Sequence, residues 1–72
     1  MAKVKRIYYS SGELESECFE INDKMNGLYK EYYESGQLHI SSNYIDDKKN
    51  GEHKSYYING HLQLVYTYLN RS

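Results

Sequence analysis

A single cysteine, Cys18, leaves this chain without an internal disulfide, and a reducing compartment is the simpler setting for it. Cys18 itself reads as a small buried apolar residue in a strand, because a reactive thiol needs an exposed, cationic environment. Excess charge of either sign is also lacking: 9 basic and 10 acidic side chains are mixed along the chain, for a formal net charge of −1. That balance argues against a strong non-specific grip on nucleic acid, which uses a basic patch to displace counterions. No apolar run approaches a membrane span, and the opening MAKVKRIYYSSGEL lacks the apolar core of a signal peptide. The expectation is a soluble chain that works in the cytoplasm or otherwise inside the cell. Proline and tryptophan are missing altogether, and no segment keeps an apolar 3.6-residue period long enough to make a helix. Length is short too. At 72 residues the chain makes one small domain, which buries only about 60% of the surface its unfolded form exposes. Domains of this size usually add disulfides, a metal or a partner to make up the deficit.

Against these absences stand ten tyrosines. Aromatic residues suit a pleated, half-buried surface, and tyrosine keeps a polar end for water. A flat sheet that cannot bury its faces would use tyrosine in this way. The tyrosines recur in a seven-residue phrase: YYSSGEL at residues 8–14, YYESGQL at 32–38 and YYINGHL at 56–62. The period is 24 residues, and it also carries Asn26-Gly27 onto Asn50-Gly51 and Lys24 onto Lys48. A repeat of this length signals a stacked supersecondary unit whose neighbours supply the missing core.

Each unit holds two short strands. Segments 3–9, 28–33 and 52–57 precede a turn, and segments 13–19, 37–45 and 61–69 follow it. The turns Ser10-Ser11-Gly12, Glu34-Ser35-Gly36 and Ile58-Asn59-Gly60 fit a three-residue hairpin closed by a glycine with positive φ. The longer links, Asn22–Gly27 and Asp46–Gly51, have the Asn, Asp, Lys and Gly content of loops. The predicted architecture is therefore all-β: a six-stranded antiparallel meander of three hairpin units, about 3–26, 27–50 and 51–72, forming one elongated twisted sheet.

Strand alternation assigns the faces. Leu62, Leu64, Tyr66 and Tyr68 share one face with Leu38, Ile40, Ser42 and Tyr44. Pairing Tyr8 with Leu14 across the hairpin adds Val4, Tyr8, Leu28, Tyr32 and Tyr56 to that apolar face. Tyr9, Tyr33 and Tyr57 then go with Tyr29, His53, Glu31 and Ser55 on a wetter face. Phe19 lies five residues after Leu14, whereas Tyr44 and Tyr68 lie six after their leucines; a bulge in the later strands would absorb the difference.

The stretch NGLYKEYYESGQLHISSNYIDDKKNG, from Asn26 onward, resembles the MORN repeat in its degenerate variant. The matching parts are Asn26-Gly27, Tyr32-Tyr33, Gly36, Tyr44 and Lys48-Lys49, then Asn50-Gly51, Tyr56-Tyr57, Gly60 and Tyr68. The first unit contributes Tyr8-Tyr9, Gly12, Phe19 and Lys24. Standard units carry glycine where Tyr29 and His53 stand, and again where Ser42 and Tyr66 stand. The variant is closer to YwqK-type bacterial proteins described as antitoxins and to repeat proteins of large DNA viruses. The resemblance implies an elongated antiparallel sheet, a role in protein contact, and no chemistry.

The residues themselves point the same way. His39, His53 and His61 are scattered over different strands, with no carboxylate or cysteine spacing that fits a metal. A thin sheet encloses no cleft for a nucleophile, base and oxyanion site. No catalytic, cofactor-binding or metal-binding residue is assigned, and no enzyme activity is expected. Glu15 and Glu17 alternate along one strand, where Lys5 is placed to face one of them. Arg6, Lys30 and Lys54 recur at one repeat position beside Tyr8, Tyr32 and Tyr56. Their stems would cover those rings; the sharper reading has them grip acidic groups or phosphates on a partner. Tyrosine and arginine concentrate binding energy at interfaces, which makes Tyr29, Tyr33 and Tyr57 the first candidates for contact, with His53 beside them. The final strand HLQLVYTYL has no proline, lysine or acid to guard its edge, so Leu62, Leu64, Tyr66 and Tyr68 join the candidates. An open edge invites a second copy, as a homodimer, or a strand added from another protein.

These readings converge on a protein-interaction or scaffold module. The alternative is an antitoxin-type or immunity-type neutraliser of a toxin, which rests on the resemblance. A further alternative, phospholipid headgroup binding through Arg6, Lys30 and Lys54, is disfavoured by the near-neutral charge.

Overall fold

The computed structural model describes residues 2–68. Eight antiparallel strands make one open sheet, and no helix forms among the described residues. In chain order they are β1 (Ala2–Tyr8), β2 (Leu14–Ile21), β3 (Lys24–Met25), β4 (Gly27–Tyr32), β5 (Leu38–Ile45), β6 (Lys48–Lys49), β7 (Gly51–Tyr56) and β8 (Leu62–Tyr68). The six longer strands run β1-β2-β4-β5-β7-β8 across the sheet, while β3 pairs with β2 and β6 with β5. The meander is as predicted; the two short strands are additions. Leu69, at the end of the last predicted strand, lies outside the described residues, as do the remaining residues of the third predicted unit beyond 68.

The hairpin turns are built as their sequence implies. Tyr33 N–H donates to the Gln37 carbonyl at 2.8 Å, and Gly36 N–H donates to the Tyr33 carbonyl at 2.8 Å. The same two bonds recur from Tyr9 and Gly12 and from Tyr57 and Gly60. Gly36 holds φ at +95° with nothing within 4 Å of where a Cβ would stand. Glycine is required there for backbone conformation alone.

The two longer links differ from the expected loops. Asn22 and Asp23 (φ 53° and 66°), like Asp46 and Asp47 (φ 49° and 70°), hold positive φ in succession. That is the requirement of a type I′ turn, for which Asn and Asp are suited. Each link is thus a two-residue hairpin that sends the chain back along its own strand before the Asn-Gly step. Asn26 N–H then donates to the Phe19 carbonyl, and Asn50 N–H to the Asn43 carbonyl.

The assignment of faces needs a correction with a single cause. Tyr8 pairs with Leu14, but Ile7 pairs with Ser16; Tyr32 pairs with Leu38, but Glu31 with Ile40; Tyr56 pairs with Leu62, but Ser55 with Leu64. Glu15, His39 and Gln63 are therefore extra residues, one bulge just after each glycine turn. A bulge displaces one residue from the ladder and reverses the alternation that follows. Ile40, Ser42, Tyr44, Leu64, Tyr66 and Tyr68 consequently leave the face of Leu38 and Leu62 and join Tyr29, Glu31, His53 and Ser55. Because the bulge recurs in all three hairpins, it does not compensate for Phe19. The position of Tyr44 and Tyr68 is held in the first hairpin by Glu20, and Phe19 lies on the opposite face beside Val4.

No hydrophobic side chain is buried among the described residues, and the backbone spans 37 × 27 × 12 Å. A second packed layer would stand about 10 Å away; among the described residues there is none. Cohesion comes instead from the ladder and from two sets of bonds between hairpins. On the rim with the glycine turns, the Tyr9 hydroxyl donates to the Tyr32 carbonyl at 2.6 Å, and the Tyr33 hydroxyl to the Tyr56 carbonyl at 2.7 Å. On the opposite rim, Asn26 accepts from Asp46 N–H at 3.1 Å and donates to the Asp46 carboxylate at 3.4 Å, while Asp47 accepts from Met25 N–H at 2.7 Å. Each bond of this kind adds about 1 kcal/mol net.

Candidate functional site

The bulges gather aromatic side chains on one face. Tyr29 meets Tyr44 edge-on at 6.0 Å between centroids, and His53 meets Tyr68 edge-on at 6.2 Å. Tyr66 and Tyr68 are also edge-on, at 6.2 Å. Tyr33 stacks on the bulge residue His39 at 4.2 Å and an interplanar angle of 22°. Offset and edge-on pairs of this sort add about 0.5–1.5 kcal/mol beyond area burial. Of the predicted contact residues, Tyr29, Tyr33, Tyr57, His53, Leu64, Tyr66 and Tyr68 share this face; Leu62 and the three cations lie on the other. Tyr44 and His39 belong to the aromatic face and were not predicted as contacts. The signal that would have revealed them is the bulge, which no side chain marks.

Burial and partners set the protonation of this face. The Tyr29 hydroxyl donates to Glu31 Oε1 at 2.6 Å; burial first, and that carboxylate second, push its pKa well above the ordinary tyrosine value. Tyr29 is a fixed hydrogen-bond donor over the physiological range. Ser42, opposite Tyr29, is the most enclosed side chain described. His53 is half-buried, and its covered Nδ1 meets no hydrogen-bond partner. Burial, then the charge of Lys49, lower its pKa. The Lys49 ammonium lies 5.4 Å from the centre of the Tyr68 ring, over its face.

A pH dependence follows from His53. In the unfolded chain it takes up a proton near its ordinary value of 6.5, and in the sheet only at lower pH. Between those two values the unfolded state binds more protons, so stability falls as pH drops through that window. Thermal unfolding followed by circular dichroism should show a lower midpoint at pH 5.5 than at pH 7.5, a difference reduced in His53→Gln.

The opposite face carries a cross-strand row: Arg6, Glu17, Lys30, Ser41, Lys54 and Val65. The Arg6 guanidinium donates to Glu17 Oε2 at 2.7 Å, and the Lys54 ammonium lies 3.4 Å from Glu52 Oε1. The acid opposed to a cation is therefore Glu17 to Arg6; Lys5 pairs with Cys18 instead. The charged heads of Arg6, Lys30 and Lys54 do not sit over Tyr8, Tyr32 and Tyr56: the cation–ring contact among the described residues is that of Lys49 with Tyr68. Glu17 on the next strand and Glu52 on the same one draw Arg6 and Lys54 along the ladder instead. Cys18 is half-buried rather than buried, since a single layer has no interior; burial still raises its pKa, with the charge of Glu20 adding to it. A thiol held protonated in this way is a poor nucleophile.

No cavity forms among the described residues, and no cluster of His, Cys, Asp and Glu there is placed to hold a metal ion. What the molecule offers is surface: an aromatic face, an opposite face on which Arg6 and Lys54 are paired with acids, and two sheet edges. The sequence model of the MORN repeat variant matches residues 25–46 and again residues 49–70, together more than half of the chain. No curated protein and no solved structure matches it. Hairpins of one length, each closed by glycine and tied to the next, are the unit this pattern encodes, and the chain belongs to the MORN repeat variant family.

Proposed function

We propose that this chain is a non-catalytic module that binds another protein through its aromatic face. The observation that carries the reading is two groups of rings, Tyr29 with Tyr44 and His53 with Tyr68 and Tyr66, on one side of a single layer, with no second layer over them among the described residues. Tyrosine presents large contact area with few torsions to immobilise, so an array already held edge-on loses little freedom when a partner lands on it. MORN repeats are associated generally with protein-binding and membrane-binding modules. A protein is favoured over an anionic lipid here because the repeat cations lie on the other face, and two of them are engaged by Glu17 and Glu52. We also read the first hairpin, 2–21, as a repeat of the same kind, giving three units. It has the same turn bonds and the same bulge as the two that match the family, and a tyrosine hook like that of the hairpin after it.

The test is site-specific photocrosslinking in the cell of origin. A benzoylphenylalanine at Tyr66, on the aromatic face, is expected to trap a protein, and one at Leu28, on the other face, to trap none. Adducts from Leu28 alone, or from neither position, would count against the proposal. Capture by phosphatidylserine vesicles that disappears in Arg6→Ala/Lys30→Ala/Lys54→Ala would move the site to the charged face and to a membrane.

A further inference from the structure

We infer that copies of this chain join head to tail, β8 of one pairing with β1 of the next, in the register already used twice inside the molecule. The internal junctions provide the template. Where β2 meets β4, Ser16 faces Glu31 and Glu17 faces Lys30; where β5 meets β7, Ile40 faces Ser55 and Ser41 faces Lys54. Each pair advances by 24 residues to the next junction. One more step sets Leu64 opposite Ile7 of the following copy and Val65 opposite its Arg6.

Two sets of observations show what the template lacks at the ends. The first is exposure at equivalent positions. Ser16 is buried and Ile40 half-buried, but Leu64 is 40% exposed; Glu31 and Ser55 are half-buried, but Ile7 is 48% exposed. The two apolar side chains left open are those the extended register brings together. The second is the tyrosine hook. Tyr9 and Tyr33 each donate a hydroxyl to a carbonyl of the next hairpin, at Tyr32 and Tyr56. Tyr57, the next in the series, is 51% exposed, and its hydroxyl meets no acceptor among the described residues. The same step places the Tyr8 carbonyl of the following copy in its reach.

Charge sets the polarity. β1 carries Lys3, Lys5 and Arg6, which oppose pairing of two β1 edges. β8 reads LQLVYTY and has no charge, so β1 meets it without repulsion. β8 carries Leu62 and Val65 on one face and Leu64, Tyr66 and Tyr68 on the other. A contact between unlike edges, repeated, makes an open series or a ring rather than a closed pair. This contact takes Leu64 and Tyr57 at the sheet edge and leaves Tyr29, Tyr44, His53, Tyr66 and Tyr68 free, so it fails or stands separately from the binding proposed above.

Sedimentation and light scattering on the purified full chain test it with variants at residues exposed in the single molecule. The native chain should give a mean mass that rises with concentration past two chains. Ile7→Lys and Leu64→Lys should each stay a single chain with native circular dichroism. Mixed in equal amounts they should form a two-chain species and stop there, because each retains the edge the other has lost. Tyr57→Phe should weaken association about fivefold and leave the unfolding midpoint of the dilute single chain unchanged. A native chain that stays single at millimolar concentration would overturn the inference. So would a two-chain plateau that survives Ile7→Lys, the mark of β8 pairing with β8, or a mixture that does not associate.

Discussion

Tyr33→Ala should lower the unfolding free energy by about 3 kcal/mol, whereas Tyr57→Ala, at the same repeat position, should change it by about 0.5 kcal/mol or less. Tyr33 combines three contributions: a hydroxyl bonded to the Tyr56 carbonyl at 2.7 Å, a ring stacked on His39, and apolar area half covered by the following hairpin. The bond and the stack are each worth about 1 kcal/mol, and the covered area supplies the remainder. Tyr57 is exposed. For a domain this small the loss at Tyr33 moves the thermal midpoint by about 12–24 °C. Urea titration of the two variants gives the comparison directly. Equal losses would mean that the tyrosine serves its own hairpin, and the hook between units would be abandoned.

Asn26→Ala is the second large expectation, with a loss of about 2 kcal/mol. The Asn26 side chain donates to the Lys24 carbonyl at 3.2 Å and to Asp46 Oδ1 at 3.4 Å, and accepts from Asp46 N–H at 3.1 Å. It joins the rim of one hairpin to the turn of the next, as Tyr33 does on the other rim. Removing it also loosens the turn beside it, where Asp47 takes the Met25 N–H. A double-mutant cycle with Asp46→Ala in urea should return a coupling of about 1 kcal/mol. Additive losses would show that the two residues act separately.

Much of the fold was legible because glycine and tyrosine recur with a fixed offset. Gly12, Gly36 and Gly60 needed positive φ, and they have it. The paired Asn22-Asp23 and Asp46-Asp47 passed as parts of longer loops, because the Lys, Asn and Gly around them concealed two hairpins that send the chain straight back. The bulges were not legible. Leu38, Ile40, Ser42 and Tyr44 alternate without a break, and Leu62, Leu64, Tyr66 and Tyr68 do the same. Alternation relates residues along one strand; it says nothing of the strand opposite. Glu15, His39 and Gln63 share no chemistry that would mark a residue pushed out of the ladder. The candidate face was therefore divided between two sides, although its tyrosines and His53 had been singled out for sound reasons. Arg6 and Lys54 turn their charged heads from the rings for a related cause: Glu17 and Glu52, within bonding reach, outcompete a tyrosine ring for an exposed guanidinium or ammonium.

Whether the aromatic array exists rests on which residues face each other past the turns, and nuclear Overhauser contacts between side chains report that most directly. Contacts are expected from the Tyr29 ring to Ser42 and Tyr44, and from the His53 ring to Tyr66 and Tyr68. Contacts running from Leu28 to Tyr44 and from Lys54 to Tyr66 would mean an unbulged ladder, and would contradict it.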